Sequence, residues 1–135
     1  MTRKLSLLIF CFCSAGILMA AAGGDWLTEV PARDRQKTNP FRNQSQAVQA
    51  GRLLFEEHCA ECHGTHAQGR NKRPSLRTPR IQNATEGDLH WLLVNGNIRH
   101  GMPSGSKLPD QQLWQLVAYL RSLPSSEEPS PKSAF

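Results

Sequence analysis

Cys59-Ala60-Glu61-Cys62-His63-Gly64 is the stretch on which the reading of the whole chain turns. Two thiols three residues apart, with an imidazole directly after the second, admit four chemistries. A structural zinc site needs four ligands, and with no second thiol pair beyond the N-terminal leader it would have to recruit His58, His63 or His66 in cramped geometry. A thioredoxin-like redox pair needs a βαβ context, which the surrounding pattern does not offer. A disulfide across two intervening residues closes too small a loop to stabilise much. The fourth chemistry is covalent attachment of a c-type haem, in which the two thiols add to the two vinyl groups and the adjacent imidazole is placed under the iron. The last turn of a helix would set both sulfurs at neighbouring edges of the macrocycle with His63 between them and the metal, so one haem c held through Cys59 and Cys62 is the leading expectation. Zinc and disulfide stay as rivals, and both predict a colourless interaction module.

Working outward, Ala47, Val48, Gly51, Leu54, Phe55 and His58 form one stripe of period 3.6 that ends at Cys59, with Ser45 as N-cap. After the motif, residues 64–84 are Gly, Pro, Arg and polar residues. They are too irregular for a helix and too long for an idle connection, as expected of a loop that wraps something. Thr85-Glu86-Gly87-Asp88 starts a second helix in the manner of a capping box; Leu89, Leu92 and Leu93 share a face, and Asn95-Gly96 stops it. On that helix His90 is expected on the exposed face. A third helix begins near Pro109-Asp110, buries Leu113, Leu116, Val117 and Leu120, and ends before Pro124. The fold class is therefore all-α: three main helices and long loops around one covalently bound haem. The six Val and Ile residues beyond the leader leave no material for a sheet.

The 135-residue chain opens with Arg3 and Lys4, then runs uncharged from Leu5 to the small residues Ala20-Ala21-Ala22. This is the layout of a signal peptide over 1–22, whose rival is an uncleaved anchor at the short end of what spans a bilayer. Cleavage would remove Cys11 and Cys13 and leave a chain only about a third apolar, thin for a self-sufficient core. The length allows one domain and excludes a multidomain enzyme. The formal charge is +5, and Arg70, Lys72, Arg73, Arg77 and Arg80 fall in a stretch without acids. For an exported chain this patch suits an acidic protein surface, a membrane surface or cofactor carboxylates better than nucleic acid, and a solvated loop is its plain alternative.

Iron in such a site has or lacks a sixth ligand. Met102 is the one methionine of the three that lies beyond the leader, in Gly101-Met102-Pro103-Ser104-Gly105. A thioether favours ferrous iron and raises the potential of a His-ligated haem, and the flanking Gly and Pro fix an irregular loop that can aim sulfur at a metal. A core methionine more often sits on a helix stripe. The rival ligand is His100. His63 and Met102 are thus the expected iron ligands.

These residues resemble a class I monohaem cytochrome c of the small bacterial periplasmic type. The resemblance runs from Ala47 to Leu123 and rests on Gly51-x-x-x-Phe55, Cys59-x-x-Cys62-His63, Pro74-Ser75-Leu76, Gly101-Met102-Pro103 and Leu116-Val117-Ala118-Tyr119-Leu120. It implies a cytochrome c domain at 45–123; outside that family core, composition and layout give the signal peptide at 1–22, an extended N-terminal arm at 23–44 and a disordered tail at 124–135. It implies further that Gly51 lets the first helix cross the last, with Phe55 near Leu116 and Tyr119, and that the Pro74 carbonyl accepts a hydrogen bond from His63. Arg77 and Trp91 are the implied propionate partners. The chain departs from the family at Arg73, where a glycine usually precedes the proline.

The function so implied is a monomeric periplasmic single-electron carrier without catalytic apparatus. Its redox protein partners would be a dehydrogenase donor, of quinoprotein type by resemblance, and an oxidase or reductase acceptor, docked through the basic loop by salt-sensitive electrostatics. Membrane contact is expected only if the leader stays as an anchor. The alternative is a haem enzyme or gas sensor with a labile sixth ligand, in which His100 would have to serve as the distal acid/base after displacement of Met102.

Overall fold

The computed structural model describes residues 25–126; the expected leader at 1–22 and tail residues 127–135 lie outside the described residues. In chain order the elements are α1 (Trp26–Glu29), α2 (Ala32–Arg35), α3 (Ser45–His58), α4 (Ala60–His63), α5 (Pro79–Gln82), α6 (Glu86–Asn95), a 3₁₀ turn (Ile98–His100) and α7 (Asp110–Ser122). Among the described residues there is no strand, only the isolated bridges Arg70 to Arg73 and Asn97 to Met102. None of the described helices is long and apolar enough to cross a membrane.

The stripe of period 3.6 becomes the inner face of α3: Ala47, Gly51 and Phe55 are buried, Val48 and Leu54 half-buried. Ser45 is the first helical residue rather than the cap, and Gln44 precedes the helix without a capping side chain. The helix α7 buries Leu113, Leu116, Val117 and Tyr119 on the facing side. At the crossing, a Cβ added to Gly51 would stand 2.0 Å from the carbonyl oxygen of Gln115 and 2.9 Å from Tyr119 Cβ, so only glycine permits this approach. The Phe55 ring lies 5.2 Å from that of Tyr119 at 49°. Phe55, Leu116 and Val117 are at most 2% exposed, and each such side chain contributes roughly 1.5–3 kcal/mol on burial.

The helix α6 begins with the expected capping box: the Thr85 hydroxyl accepts from the Asp88 N–H, and the Asp88 carboxylate accepts from the Thr85 N–H. Two expectations fail around it. His90, read as exposed, is 6% exposed. Its ring stacks on Trp114 at 3.9 Å and its Nε2 meets Asp110 Oδ1 at 2.9 Å. The 23–44 segment, expected as an extended arm, carries α1 and α2 and is bound to the body. Trp26 and Val30 join the core, Arg35 pairs with Asp88 at 2.9 Å, and Asn39 Nδ2 donates to the Trp114 carbonyl at 2.9 Å. The two failures are related: the arm packs on α6 at Gly87 and Asp88, and Trp114 and Asp110 of α7 cover His90, so α6 is enclosed on faces that an amphipathic reading assigns to water. A third correction is α5, a single turn with Pro79 at its start inside the loop read as having no helix.

Candidate functional site

The helix α3 ends at Cys59, whose φ of −124° breaks the axis, and α4 restarts at once. The amides of Cys62 and His63 both donate to the Cys59 carbonyl, at 3.1 and 2.9 Å. Cys59, Cys62 and His63 therefore occupy one tight turn at spacings i, i+3 and i+4, which share a helix face. Gly64, at φ +80°, ends the turn. Both thiols are unbonded; Cys59 is half-buried and Cys62 exposed. Burial, with the neighbouring Cys62 adding to it, pushes the Cys59 thiol up to about 11.

The imidazole of His63 is oriented from behind. Its Nδ1 lies 3.0 Å from the Pro74 carbonyl oxygen; since that oxygen can only accept, Nδ1 carries the proton. Nε2 is left uncommitted among the described residues. The Pro74 carbonyl is itself held on both sides. The Leu76 amide donates to Ala67 O at 2.9 Å, and Arg70 and Arg73 exchange backbone bonds of 3.3 and 2.9 Å. Gly69, at φ +86°, lets Arg73–Ser75 cross it, since a Cβ there would stand 2.8 Å from Ser75 N.

Met102 is presented from a second loop, sewn to the C-terminal end of α6. Asn97 and Met102 exchange backbone hydrogen bonds of 2.9 and 3.0 Å, and the Gly105 amide donates to Leu93 O at 2.8 Å. The Ser104 hydroxyl donates to Val94 O at 2.6 Å. Met102 is half-buried and packs, with Leu76, Trp91, Val94 and Leu108, against the core. The rival His100 is exposed, and its Nδ1 engages Asn97 Oδ1 at 2.8 Å.

The donor set fits a c-type haem: free thiols on one turn, an imidazole with only Nε2 available, a loop-borne thioether and half-buried apolar side chains packed beside it. Among the described residues no three His, Cys, Asp or Glu side chains gather as a metal site, and the two thiols are not joined. Two open hollows of about 540 and 650 Å³ lie along the arm, lined by residues such as Val30, Arg35, Asp88 and Arg121. None of the site residues faces them.

The remaining sequence candidates are placed less centrally. Trp91 is half-buried on α6. Arg77 Nε donates to Pro124 O at 3.2 Å, while the Arg77 carbonyl accepts from the Ser126 amide at 2.8 Å, which pins the start of the expected tail. The basic run is not one open patch: Arg73 is bound to His100 O, Arg77 to Pro124 O and Arg80 to Asp25. Arg70 and Lys72 remain as its unpaired cations among the described residues. Arg73 entered the sequence reading as a member of the basic run and as a departure from glycine, and no local pattern marks its reach to a residue 27 positions away.

The family model described as "Cytochrome C oxidase, cbb3-type, subunit III" matches residues 46–120. Cytochrome c550 of Pseudomonas aeruginosa is 30% identical over 108 residues, 75% of this chain and 69% of that protein. Quinohemoprotein alcohol dehydrogenase ADH-IIG of Pseudomonas putida is 31% identical over 111 residues, 78% of this chain but 15% of the dehydrogenase. Among solved structures, cytochrome cL of Methylophaga aminisulfidivorans is similar with a TM-score of 0.56 at 27% identity, covering 63% of this chain and 58% of that one.

Proposed function

This chain belongs to the cytochrome c family as a class I monohaem c-type cytochrome, and on that premise we propose that it is a periplasmic single-electron carrier with His63 and Met102 as axial ligands. The observation that carries the reading is the His63 Nδ1 to Pro74 carbonyl contact at 3.0 Å, which fixes the ring and raises its basicity toward a metal. The bound haem supplies a one-electron ferric/ferrous couple. Cys59 and Cys62 attach it, His63 presents Nε2, and Met102 presents a soft sulfur. Behind His63 the Pro74 carbonyl accepts from the imidazole, and behind Met102 the backbone groups of Asn97 and Met102 exchange hydrogen bonds. The Pro74 carbonyl and the Asn97 backbone groups do not titrate, an arrangement that suits a carrier, whose ligands would have to keep their places when the haem gains or loses an electron.

The donor is a quinoprotein-type alcohol dehydrogenase, supported by the likeness to part of a quinohemoprotein alcohol dehydrogenase. The acceptor is a respiratory oxidase, in keeping with the oxidase subunit that the family description names. Export rests on the leader at 1–22. Arg70 and Lys72, the unpaired cations of the basic loop, steer docking.

The test is an oxidised and reduced visible spectrum with a denatured intact mass, on protein made with the haem-attachment machinery. A mass equal to Gly23–Phe135 plus one haem is expected, with sharp reduced bands and a weak sulfur-to-iron band that Met102→Ala abolishes. A colourless protein overturns the reading; ferrous protein that binds carbon monoxide rapidly and completely turns it into that of a gas-binding haem protein.

A further inference from the structure

The two loops that support the ligands are far apart in sequence, yet one side chain joins them. Arg73 immediately precedes Pro74, and its backbone is fixed in the His63-side loop by the two bonds with Arg70 and by the close crossing over Gly69. Its side chain leaves that loop altogether. Nη1 donates to the carbonyl of His100 at 2.7 Å, the last residue of the 3₁₀ turn and two positions before Met102. The guanidinium also lies against Gly101, where an added Cβ would stand 2.7 Å from Nη1 and 3.1 Å from Nη2. Gly101 is at φ +77°, so glycine there serves both the turn and the approach of Arg73.

The chemistry suits a fastening. The carbonyls at the C-terminal end of a helical turn have no partner within the turn, and an Arg side chain satisfies and electrostatically favours them. Among the described residues no carboxylate pairs with Arg73, so nothing competes for the guanidinium. The other hydrogen bonds of the Met102 loop among the described residues run to Val94 and Leu93 at the end of α6 and to Asn97 just beyond it.

We propose that Arg73 is a positioning residue that fastens the Met102 loop to the Pro74 loop and so holds the sixth ligand in register with the imidazole across from it; the inference rests on the reading of Met102 as that ligand. A docking role for the same charge would leave Met102 equally easy to displace whether Arg73 is present or not.

The experiment is an imidazole titration of the ferric, haem-loaded full chain, followed at the sulfur-to-iron band, in the parent, Arg73→Gln, Arg73→Lys and Met102→Ala proteins, with a thermal melt of each. Exogenous imidazole binds only when Met102 has left, so loosening its loop raises apparent affinity in proportion to the displaced population. With one charge-assisted hydrogen bond lost at an exposed site, Arg73→Gln is expected to bind imidazole about three- to tenfold more tightly, Arg73→Lys to fall between it and the parent, and the melting temperature to change little. Arg73→Gln indistinguishable from the parent, while Met102→Ala loses the band, sinks the role of Arg73 and leaves Met102 ligation standing. A broad drop in melting temperature that Arg73→Lys does not relieve also overturns the role, since it marks general damage. A band that survives Met102→Ala removes the ligand reading itself and this inference with it.

Discussion

Among the described glycines, Gly51 and Gly87 leave the least room for a Cβ, and sterically they are twins. A Cβ on Gly51 would lie 2.0 Å from the Gln115 carbonyl oxygen, and one on Gly87 would lie 2.0 Å from that of Asp34. What surrounds them differs. The α3–α7 crossing at Gly51 is closed by Phe55, Leu116, Val117 and Tyr119, a seam of buried apolar area. The arm–α6 crossing at Gly87 is closed by directed polar contacts: Arg35 to Asp88, the Thr85 hydroxyl to Arg35 O, and the Asn39 amide to Glu86. An apolar seam needs only shape and area, whereas a polar one needs every partner in place. The first holds the thiols and imidazole at the end of α3, and the second holds α6, from whose end Met102 is presented.

The sharpest test of the comparison is to put the same methyl group at both crossings. Gly51→Ala drives Cβ into backbone that cannot yield without parting α3 from α7. The expected loss is about 3 kcal/mol, the upper end of overpacking, even after a gain of about 1 kcal/mol in helix propensity. Gly87→Ala should cost about 2 kcal/mol, because the arm can lift while the helices behind it stay packed. Urea unfolding of the haem-loaded proteins reads the first, and limited proteolysis within residues 25–44 reads the second. If Gly87→Ala leaves the arm as resistant as in the parent, the two crossings are not mechanically distinct.

Asn39, whose side chain ties the arm to α7 beside that seam, tests whether the arm's polar contacts depend on single partners. Its Nδ2 donates to Trp114 O and its Oδ1 accepts from the Phe41 amide, at 2.9 Å each, and the residue is buried. Asn39→Ala removes both bonds and leaves the Phe41 amide short of a partner, for an expected loss of about 1–2 kcal/mol in the same urea measurement. An effect below about 0.3 kcal/mol would mean that the seam closes without it.

The contrast also explains what could be read from the amino acids alone. Ala47, Gly51 and Phe55 are spaced by one helical turn, the Thr85–Asp88 box is local, and Cys59, Cys62 and His63 lie within five residues, so period and spacing reach them all. The polar seam has no such period: Asp88 finds Arg35 across 53 positions, and Trp114 O finds Asn39 across 75. Ion pairs and amide contacts at that range leave no local trace, and four-residue helices such as α1, α2 and α5 carry too few turns to show one. His90 fails for the same reason. Its placement on a wet face assumed that α6 buries one stripe, whereas Gly87, Asp88, Leu89, His90, Leu92 and Leu93 are all buried between the arm and the rest of the body, with Trp114 and Asp110 of α7 against His90.

Where the two regions meet, His90 makes the comparison pH-dependent. Burial lowers its pKa below the ordinary value of about 6.5, with the hydrogen bond and charge of Asp110 opposing; Lys37 acts in the direction of burial and Asp34 against it. The unfolded chain therefore takes up a proton before the folded chain does. Stability from this group is complete above pH of about 6.5 and declines as the pH falls from there toward the folded pKa. In His90→Gln the slope of unfolding free energy between pH 6.5 and 5 should flatten, whatever the variant's absolute stability. An unchanged slope would assign that acid sensitivity elsewhere.

The smallest effect is expected at the solvent rim of the polar seam. Glu86 accepts from Arg42 and from the buried-side Asn39 amide, and although burial opposes ionisation, these hydrogen bonds hold its carboxyl below the ordinary range. Arg42 is 55% exposed on its side chain. Water screens the pair and side-chain entropy opposes it, so Arg42→Ala should cost no more than about 0.5 kcal/mol. The Asn39 amide bond remains in that variant, and with it most of the tether. Glu86→Gln, by contrast, removes the charge from both contacts and should cost more than Arg42→Ala at pH 7. The difference should vanish as the pH falls through the folded pKa of Glu86, because its stabilisation is present above the unfolded carboxylate value and lost below. Equal losses in the two variants at pH 7 would show that the seam is held by its exposed ion pair rather than by the inner hydrogen bond.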